Sequence, residues 1–412
     1  MTSRDVYISL QAVTPAFWGG AVPRRYFAFT ELIDSKGNTL LEHNDRGNLV
    51  LTKAAKDWLR QRANEQHETR PEARVQSVRG ALRWWLRAML AGKNTGLLVA
   101  TDQLWQAEAE VFGSTNEASS VMISLRNHNL QPTIMSEPEV NPKNPSGYDY
   151  MLYGMHTGKS DSEGHAYTPR QYYNESTGRT RREIDLAITP RWGAANGQPA
   201  VKQTLWAMWL LINFGGLGSR NRRGAGSVGT AVLPELPEWL KQQKEQNEDL
   251  KLPDFERAAS LAQLRERLRD GLIAATNNPA WQNESITPRY ADFSVLHPDY
   301  CTIAILGPNS GSGWSTAKEA IKATGSAFRT FRANPTNKPL NFRAFGYSLP
   351  NNRFASPLHF TIVQLSSRSF VVVMTWFHSN LPGGGTVPSQ PMITGFVNHL
   401  RQSLTCKYIW EP

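Results

Sequence analysis

The spacing of apolar residues along the chain predicts several long helices. Leu82, Trp85, Leu86 and Met89 recur at the three- and four-residue spacing of one helix face, which predicts a helix over 77–90. A nearly continuous apolar run predicts another over 201–214. The same spacing predicts further helices over 51–63, 261–273, 318–332 and 391–404.

Alternating or short continuous apolar runs predict strands between these helices. The predicted strands cover 6–13, 121–125, 184–188, 228–233, 302–306, 358–364 and 370–376. Each half of the chain therefore combines strands with two long helices, which indicates an α+β fold with helices layered on sheets.

Two polar stretches interrupt this pattern. The stretch 236–254 is polar and helix-compatible, and we predict it to be a linker between an N-terminal domain, 1–235, and a C-terminal domain, 255–412. The stretch 131–182 is rich in Pro, Gly, Ser, Asn and Tyr, which predicts a long irregular insertion.

The segment 215–227, called the glycine-rich loop below, carries five glycines and three arginines. Glycine takes positive φ without a Cβ penalty and lets the backbone approach a ligand. Clustered N–H groups in such a turn form an anion-binding concavity, and arginine forks match phosphate oxygens. Three arginines within four positions repel one another, so we favour phosphate binding over a solvated loop with structural glycines. The predicted contacts here are Gly216, Gly218, Arg220, Arg222 and Arg223.

Two nucleotide-binding motifs are excluded at this loop. A mononucleotide-binding P-loop requires a lysine that the loop lacks. Residues 224–229 match the letters of a dinucleotide fingerprint, but that fingerprint follows a strand and opens a helix, whereas these residues follow a helix and lead into a strand. A polynucleotide backbone remains the best ligand.

Arg79, Arg83 and Arg87, called the arginine stripe below, follow one another at four-residue spacing beside the apolar face of the helix over 77–90. We predict Ser77 as its N-cap, which places Arg79 in the first turn. A cation there opposes the helix dipole, so an external anion is expected beside it.

Ion pairing is the alternative for the arginine stripe, with carboxylates such as Glu108 or Glu110 as partners. We favour pairing for Arg87 and anion binding for the other two, and keep all three as candidate RNA contacts. Trp84 and Trp85 are expected in the core, because tryptophans of such helices usually pack there. Trp18, in a turn after Thr14-Pro15, is a candidate base-stacking residue.

Composition and charge narrow the partners. The 412 residues carry a net charge of +10, which favours a polyanionic partner. The two cysteines and nine scattered histidines build neither a disulfide framework nor a metal site, and we expect no cofactor. The longest apolar run is too short to span a bilayer, and the N-terminal residues have no secretory h-region. We therefore expect a cytoplasmic protein without a membrane partner.

Several segments together resemble the RAMP superfamily of CRISPR effector proteins, most closely the RAMP subunits of type III-B (Cmr) complexes. The specific ones are Ser-Val-Arg-Gly-Ala-Leu-Arg-Trp-Trp-Leu-Arg-Ala at 77–88 and the glycine-rich loop. Weaker agreement lies at 14–20, 110–113, 150–154 and 353–359. The resemblance implies tandem ferredoxin-like (RRM-like) domains, with the loop between the last helix and last strand of the first.

The resemblance also implies a function. It implies a non-catalytic RNA-binding subunit at the head end of a ribonucleoprotein effector in antiviral defence. There it lies near the 3′ region of the guide RNA, helps to engage complementary target RNA and contacts the other RAMP and small subunits.

Two further hypotheses stay open. Some RAMP relatives process guide RNA as endoribonucleases, which requires an acid or base near the loop, and a distant histidine such as His359 could supply it. The other is a structural filament cap whose arginines contact partner carboxylates.

Overall fold

The computed structural model describes most of the chain. It covers residues 4–410 except 18–25, 29–30, 35, 45–46, 48, 66–72, 96–100, 135–145, 153–154, 156–157, 161–164, 168–170, 177–179, 248–249, 283–288, 311, 335–336, 338–344, 346, 350–351 and 381–389.

The described residues form a mixed α/β structure. The strands are β1 Val6–Ala12, β2 Tyr26–Ala28, β3 Leu41–His43, β4 Leu49–Leu51, β5 Val121–His128, β6 Pro132–Ile134, β7 Gly158–Ser160, β8 His165–Tyr167, β9 Gln171–Tyr173, β10 Glu183–Pro190, β11 Val228–Thr230, β12 Cys301–Gly307, β13 Tyr347–Leu349, β14 Asn352–Phe354, β15 Leu358–Gln364, β16 Phe370–Phe377 and β17 Thr405–Trp410. The helices are α1 Lys53–Glu65, α2 Val75–Lys93, α3 Thr101–Phe112, α4 Gly147–Met151, α5 Gly197–Phe214, α6 Glu238–Gln246, α7 Leu261–Thr276, α8 Ala317–Ala333 and α9 Gln390–Ser403.

Two antiparallel sheets of four strands organise these elements. The first has the order β11-β1-β10-β5, and the second has the order β15-β16-β12-β17. In each sheet the first strand in the chain lies between the third and the fourth, and the second strand lies at an edge. The two halves therefore repeat one strand order although their sequences show no visible repeat.

All six predicted long helices and all seven predicted strands are present, with small shifts at their ends. The largest correction concerns the start of α2, where the N-cap is Arg74 and the helix begins at Val75, so the prediction of Ser77 as cap was wrong. Helix α3 and the strands β2, β3, β4, β13, β14 and β17 were not predicted. The region 131–182 is also more regular than predicted, because it contains α4 and the short strands β6 to β9.

The second sheet is buried on both faces. Ile303 and Ile305 of β12 belong to one hydrophobic cluster, while Ala304 and Leu306 belong to another, as the two-residue period of a strand requires. The first cluster also contains α2, α5 and α7 together with the first sheet. The second cluster contains α8 and α9. One core therefore includes residues from both sides of the polar stretch 236–254.

Helix composition also bears on membranes. Within the described part of the chain, no helix combines the length and apolar character that a bilayer crossing requires.

Candidate nucleic-acid interface

The glycine-rich loop folds back on itself directly after α5. Leu217 N–H donates to the Gly226 carbonyl at 2.8 Å, which joins the two arms of the loop. Gly226 has φ +65°, and a Cβ there would lie 1.8 Å from the Leu217 carbonyl oxygen. Only glycine fits such an approach. Between the arms, Arg220 takes the left-handed conformation at φ 61° and precedes a 3-10 turn at Asn221–Arg223.

Several amides of this loop are used inside the protein. Ser219 N–H donates to the Phe17 carbonyl at 3.0 Å, and Gly226 N–H donates to the Pro15 carbonyl at 2.8 Å. Ser227 N–H donates to the Thr14 hydroxyl at 2.8 Å. These donors therefore bind protein acceptors, and an anion-binding concavity would have to use other amides of the loop.

The glycines predicted to contact RNA have different surroundings. A Cβ on Gly216 would lie 3.0 Å from the Gly226 carbonyl oxygen, so this glycine allows the two loop arms to meet. Gly218 is exposed and has φ +88°. Contact of RNA with either glycine stays a prediction.

The loop packs against α8 and β15, which belong to the second half of the chain. A Cβ on Gly224 would lie 3.4 Å from the side chains of Ile321 and Ile362. Ala225 is fully buried in the second hydrophobic cluster. The Ile362 N–H of β15 donates to the Ser227 hydroxyl at 3.0 Å. The loop thus joins the two halves, and its arginines lie at their contact.

Arg222 is held by a carbonyl and an aromatic ring. Its guanidinium donates to the Ser356 carbonyl at 2.6 Å and lies 5.9 Å from the ring centre of Trp84. Burial lowers the pKa of Arg222. No carboxylate in the described part of the chain forms an ion pair with it.

Arg223 is the most deeply buried of the three loop arginines. Its Cζ lies 4.7 Å from the ring centre of Phe328. Burial, as the main cause, lowers the pKa of Arg223 to about 10, so its side chain still carries a charge at neutral pH. Its Nη1 is buried and has no hydrogen-bond partner among the described residues. A buried charge of this kind costs free energy unless a counter-charge reaches it.

Two residues that sequence analysis missed complete this cluster. Arg332 at the end of α8 donates to the Tyr150 hydroxyl at 2.9 Å, and its Cζ lies 5.8 Å from the ring centre of Phe328.

Two glycines bring Tyr150 to this position. Gly147 and Gly325 let α4 lie directly against α8, because a Cβ on either would lie about 2 Å from the backbone of the other helix. The resemblance at 150–154 was the one signal pointing to Tyr150.

The structure also brings His359 of β15 to the loop arginines. Its ring stacks on Trp84 with 5.1 Å between ring centres, and its buried Nε2 has no hydrogen-bond partner in the part of the chain that the structure describes. Burial, and then the charges of Arg222 and Arg223, hold the pKa of His359 well below its ordinary value. The imidazole is therefore neutral and enclosed.

The arginine stripe has different partners. Arg83 and Arg87 both form ion pairs with Glu108 of α3, whose side chain is 2% exposed. Arg83 also donates to the Phe112 carbonyl at 2.7 Å, and Arg79 donates to the same oxygen. These guanidiniums thus bind the C-terminal end of α3, where free carbonyls and the helix dipole favour cations.

Two expectations about this helix need correction. Because α2 begins at Val75, Arg79 lies beyond the first turn and the predicted anion at the helix start has no structural basis. Carboxylate pairing, which we favoured for Arg87 alone, also holds for Arg83. RNA contact by the arginine stripe stays a prediction. Trp85 is buried, as expected, whereas Trp18 lies outside the described residues.

Comparison with known proteins places this geometry in a family. The family model of the RAMP superfamily matches residues 9–229, more than half of the chain. The matched segment contains both α2 and the glycine-rich loop. The chain belongs to the RAMP superfamily.

Individual RAMP proteins are similar over a longer region. The Cmr subunit Cmr1-1 of the CRISPR system of Pyrococcus furiosus is 27% identical over 319 residues, which cover 75% of this chain and 81% of that protein. The crystal structure of apo Cmr1 from the same organism shares the fold, with a TM-score of 0.53, 16% identity and 98% coverage of both chains. A chain in the cryo-EM structure of type III-B Cmr-beta bound to cognate target RNA and AMPPnP, in the presence of ssDNA, has a TM-score of 0.50 and 11% identity, and the match covers 97% of this RAMP chain and 98% of that one.

Proposed function

We propose that this RAMP protein is a non-catalytic RNA-binding subunit of a type III-B (Cmr) CRISPR effector complex. Its place in the complex would be the head end near the 3′ region of the guide RNA, where it helps to engage target RNA in antiviral defence. Its proposed partners are guide RNA, target RNA and the other RAMP and small subunits. The similarity to Cmr1-1 over most of both chains supports this assignment.

The observation that carries RNA binding is the buried, unpartnered Nη1 of Arg223. This arginine shares the ring of Phe328 with Arg332, and the charges of Arg332 and Arg220 both lower its pKa. Several cations therefore converge where the two halves meet. A phosphate group supplies both the missing charge and acceptor oxygens with the fork geometry of guanidinium. We propose Arg220, Arg222 and Arg223 as the central phosphate contacts.

The fold suits this role in our proposal. We propose tandem ferredoxin-like domains, and the four-stranded sheet with one strand order, built twice from strand–helix–strand–strand–helix–strand segments, supports them. We propose domains over 1–235 and 255–412, joined by 236–254, which contains α6. The glycine-rich loop then connects the last helix and last strand of the first domain.

Fluorescence anisotropy with labelled single-stranded RNA over a salt series tests the proposal. If roughly four phosphates are neutralised, log K falls with log salt at a slope of about −3. We expect the Arg220→Ala/Arg222→Ala/Arg223→Ala variant to lose most of this affinity and most of this slope. A wild-type slope near zero contradicts the proposal.

A matched control removes the same charge elsewhere. Lys241, Lys244 and Lys251 are exposed, and their joint replacement by alanine also lowers the net charge by three. We expect this control to bind RNA nearly as well as the wild-type chain. Equal losses in both variants would indicate a non-specific charge effect.

The guide-processing endoribonuclease remains a second candidate because His359 lies beside Arg222 and Arg223. A neutral imidazole is the form that can act as a base, but burial and the charges of Arg222 and Arg223 hold the pKa of this one well below its ordinary value, and the rings of Trp84 and Phe377 enclose it. We expect RNA incubated with the chain to stay intact on a denaturing gel, with or without EDTA. Shortening that is lost in His359→Ala would replace the binding proposal by the nuclease.

A further inference from the structure

A second basic and aromatic site lies at the opposite end of α5 from the glycine-rich loop. It is a cavity of about 730 Å³ that follows the end of β10, called the tryptophan cavity below. Trp192 and Trp239 line it together with Arg4 and Arg191. Among the described residues that line the cavity, none is an aspartate or glutamate.

Trp192 is unusual among the large apolar side chains because it is 79% exposed. The guanidinium of Arg4 lies over its ring, 4.2 Å from the ring centre. Most of the indole is still open to solvent. The Trp239 indole N–H donates to the Arg4 carbonyl at 3.3 Å and fixes the backbone of Arg4 on α6. The cavity thus carries an exposed flat ring with one guanidinium over it and a second arginine, Arg191, in its lining.

This chemistry matches one kind of ligand. A flat ring stacks on a nucleic-acid base whatever its identity, and adjacent arginines neutralise the phosphates on either side. An acidic peptide would use the arginines but would leave the exposed indole without a flat partner. A cavity of this volume also lies in the range that holds a small organic group such as a nucleotide.

We propose that the tryptophan cavity binds a nucleotide of single-stranded RNA, with the base on Trp192 and the phosphates at Arg4 and Arg191. This inference rests on the proposed RNA-binding function and adds a second, separate contact to it. The 18 residues of α5 separate the cavity from the glycine-rich loop, so the two contacts lie about 27 Å apart along the helix. One RNA strand bridges them only if it is long enough.

RNA length makes the test specific. We would measure anisotropy with a 5-nucleotide and a 25-nucleotide RNA, using the full chain and the Trp192→Ala and Arg191→Ala variants. Linking two contacts through one strand raises affinity well above that of either contact alone. We expect each variant to weaken binding of the long RNA about tenfold, within the range for losing one stacked base, and to narrow the gap between long and short RNA.

The controls match exposure and charge. Leu233 is 54% exposed, so Leu233→Ala removes an exposed apolar side chain away from the cavity. Lys251→Ala removes one exposed positive charge. Photocrosslinking of 4-thiouridine RNA, mapped by mass spectrometry, is expected to label the Trp192 peptide in the wild-type chain.

The outcomes separate this inference from the proposed function. If Trp192→Ala binds like Leu233→Ala while the triple loop variant loses binding, the inference is wrong and the proposed function stands. If the loop variant binds normally and Trp192→Ala does not, the cavity is an RNA site and the proposed loop contacts are wrong. If Trp192→Ala leaves RNA binding intact but prevents assembly with other subunits, the cavity is a protein-docking site and the inference is overturned.

Discussion

The arginine stripe of α2 and the arginines of the glycine-rich loop look alike in the sequence but have different surroundings. Two arginines of the stripe share the buried carboxylate of Glu108, and the stripe also binds carbonyls at the end of α3. In the loop, Arg222 binds one carbonyl, and Arg223 keeps a buried nitrogen without a partner. Glu108 thus offsets part of the charge of the stripe, whereas no carboxylate in the described part of the chain forms an ion pair with Arg222 or Arg223.

This difference separates a structural role from a binding role. Cations with internal partners stabilise a fold, while buried cations without them cost stability and attract an external anion. We therefore expect substitutions in the two groups to have opposite effects on folding. RNA binding should depend mainly on the loop.

The largest expected effect is a loss of folding stability when residues of the arginine stripe are replaced. The Arg83→Ala/Arg87→Ala variant leaves the buried carboxylate of Glu108 without an ion-pair partner. We expect a loss of about 3–5 kcal/mol in the free energy of unfolding, measured by urea denaturation. Lys241→Ala/Lys244→Ala removes the same charge from exposed positions and serves as the control. Wild-type stability in the arginine variant would mean that the ion pairs do not hold α3.

The next effect concerns the loop backbone. Gly226→Ala adds a Cβ that would lie 1.8 Å from the Leu217 carbonyl oxygen at a φ of +65°. We expect a loss of about 3 kcal/mol in unfolding free energy, together with weaker RNA binding, because the loop arms must separate. Gly37→Ala is the matched control, since Gly37 also has positive φ but open space around it. Similar losses in both variants would show that backbone conformation alone matters.

The pH dependence of the unfolding free energy tests whether burial and the loop arginines lower the pKa of His359. Because the folded-state pKa of His359 lies below its ordinary value of 6.5, the unfolded chain binds the proton first as pH falls. Stability is full above pH 6.5 and is lost below it, by about 1.4 kcal/mol per pH unit for each such histidine. His378, whose pKa falls to about 4 through burial, adds a similar loss.

His359→Phe therefore reduces this pH dependence. We expect the slope of unfolding free energy between pH 6 and 5 to fall by about 1.4 kcal/mol per pH unit. The exposed His43 offers a control, His43→Ala, that removes a histidine outside the loop cluster. An unaltered slope in His359→Phe would contradict a neutral imidazole beside two charged arginines.

The smallest expected change in folding stability has the opposite sign to the loss expected for the arginine stripe. Arg223→Met removes a buried charge but keeps an unbranched side chain against Phe328. We expect a chain that is as stable as wild type or about 1 kcal/mol more stable, because an apolar residue replaces an uncompensated charge. RNA affinity should fall. Destabilisation with normal RNA binding would assign Arg223 to the fold.

The sequence predicted secondary-structure elements better than the contact partners of individual side chains. The strand over 358–364 was predicted to the residue, because Leu358, Phe360 and Ile362 recur at the two-residue period of a strand. Helix α3 was missed since its buried face includes the charged Glu108, which breaks the apolar spacing. The partner of Arg222 could not be predicted, because the Ser356 carbonyl lies 134 residues further along the chain.

The hydrogen bond between Ser227 and Ile362 has a consequence for synthesis on the ribosome. Its two residues are 135 positions apart, so the glycine-rich loop is made long before β15 exists. At 5–20 residues per second, the gap lasts roughly seven to twenty-seven seconds. During that time Ala225 and the Ser227 hydroxyl have no second half to pack against. The nascent chain therefore passes through a stage in which the future contact surface is open to chaperones or to premature capture of RNA.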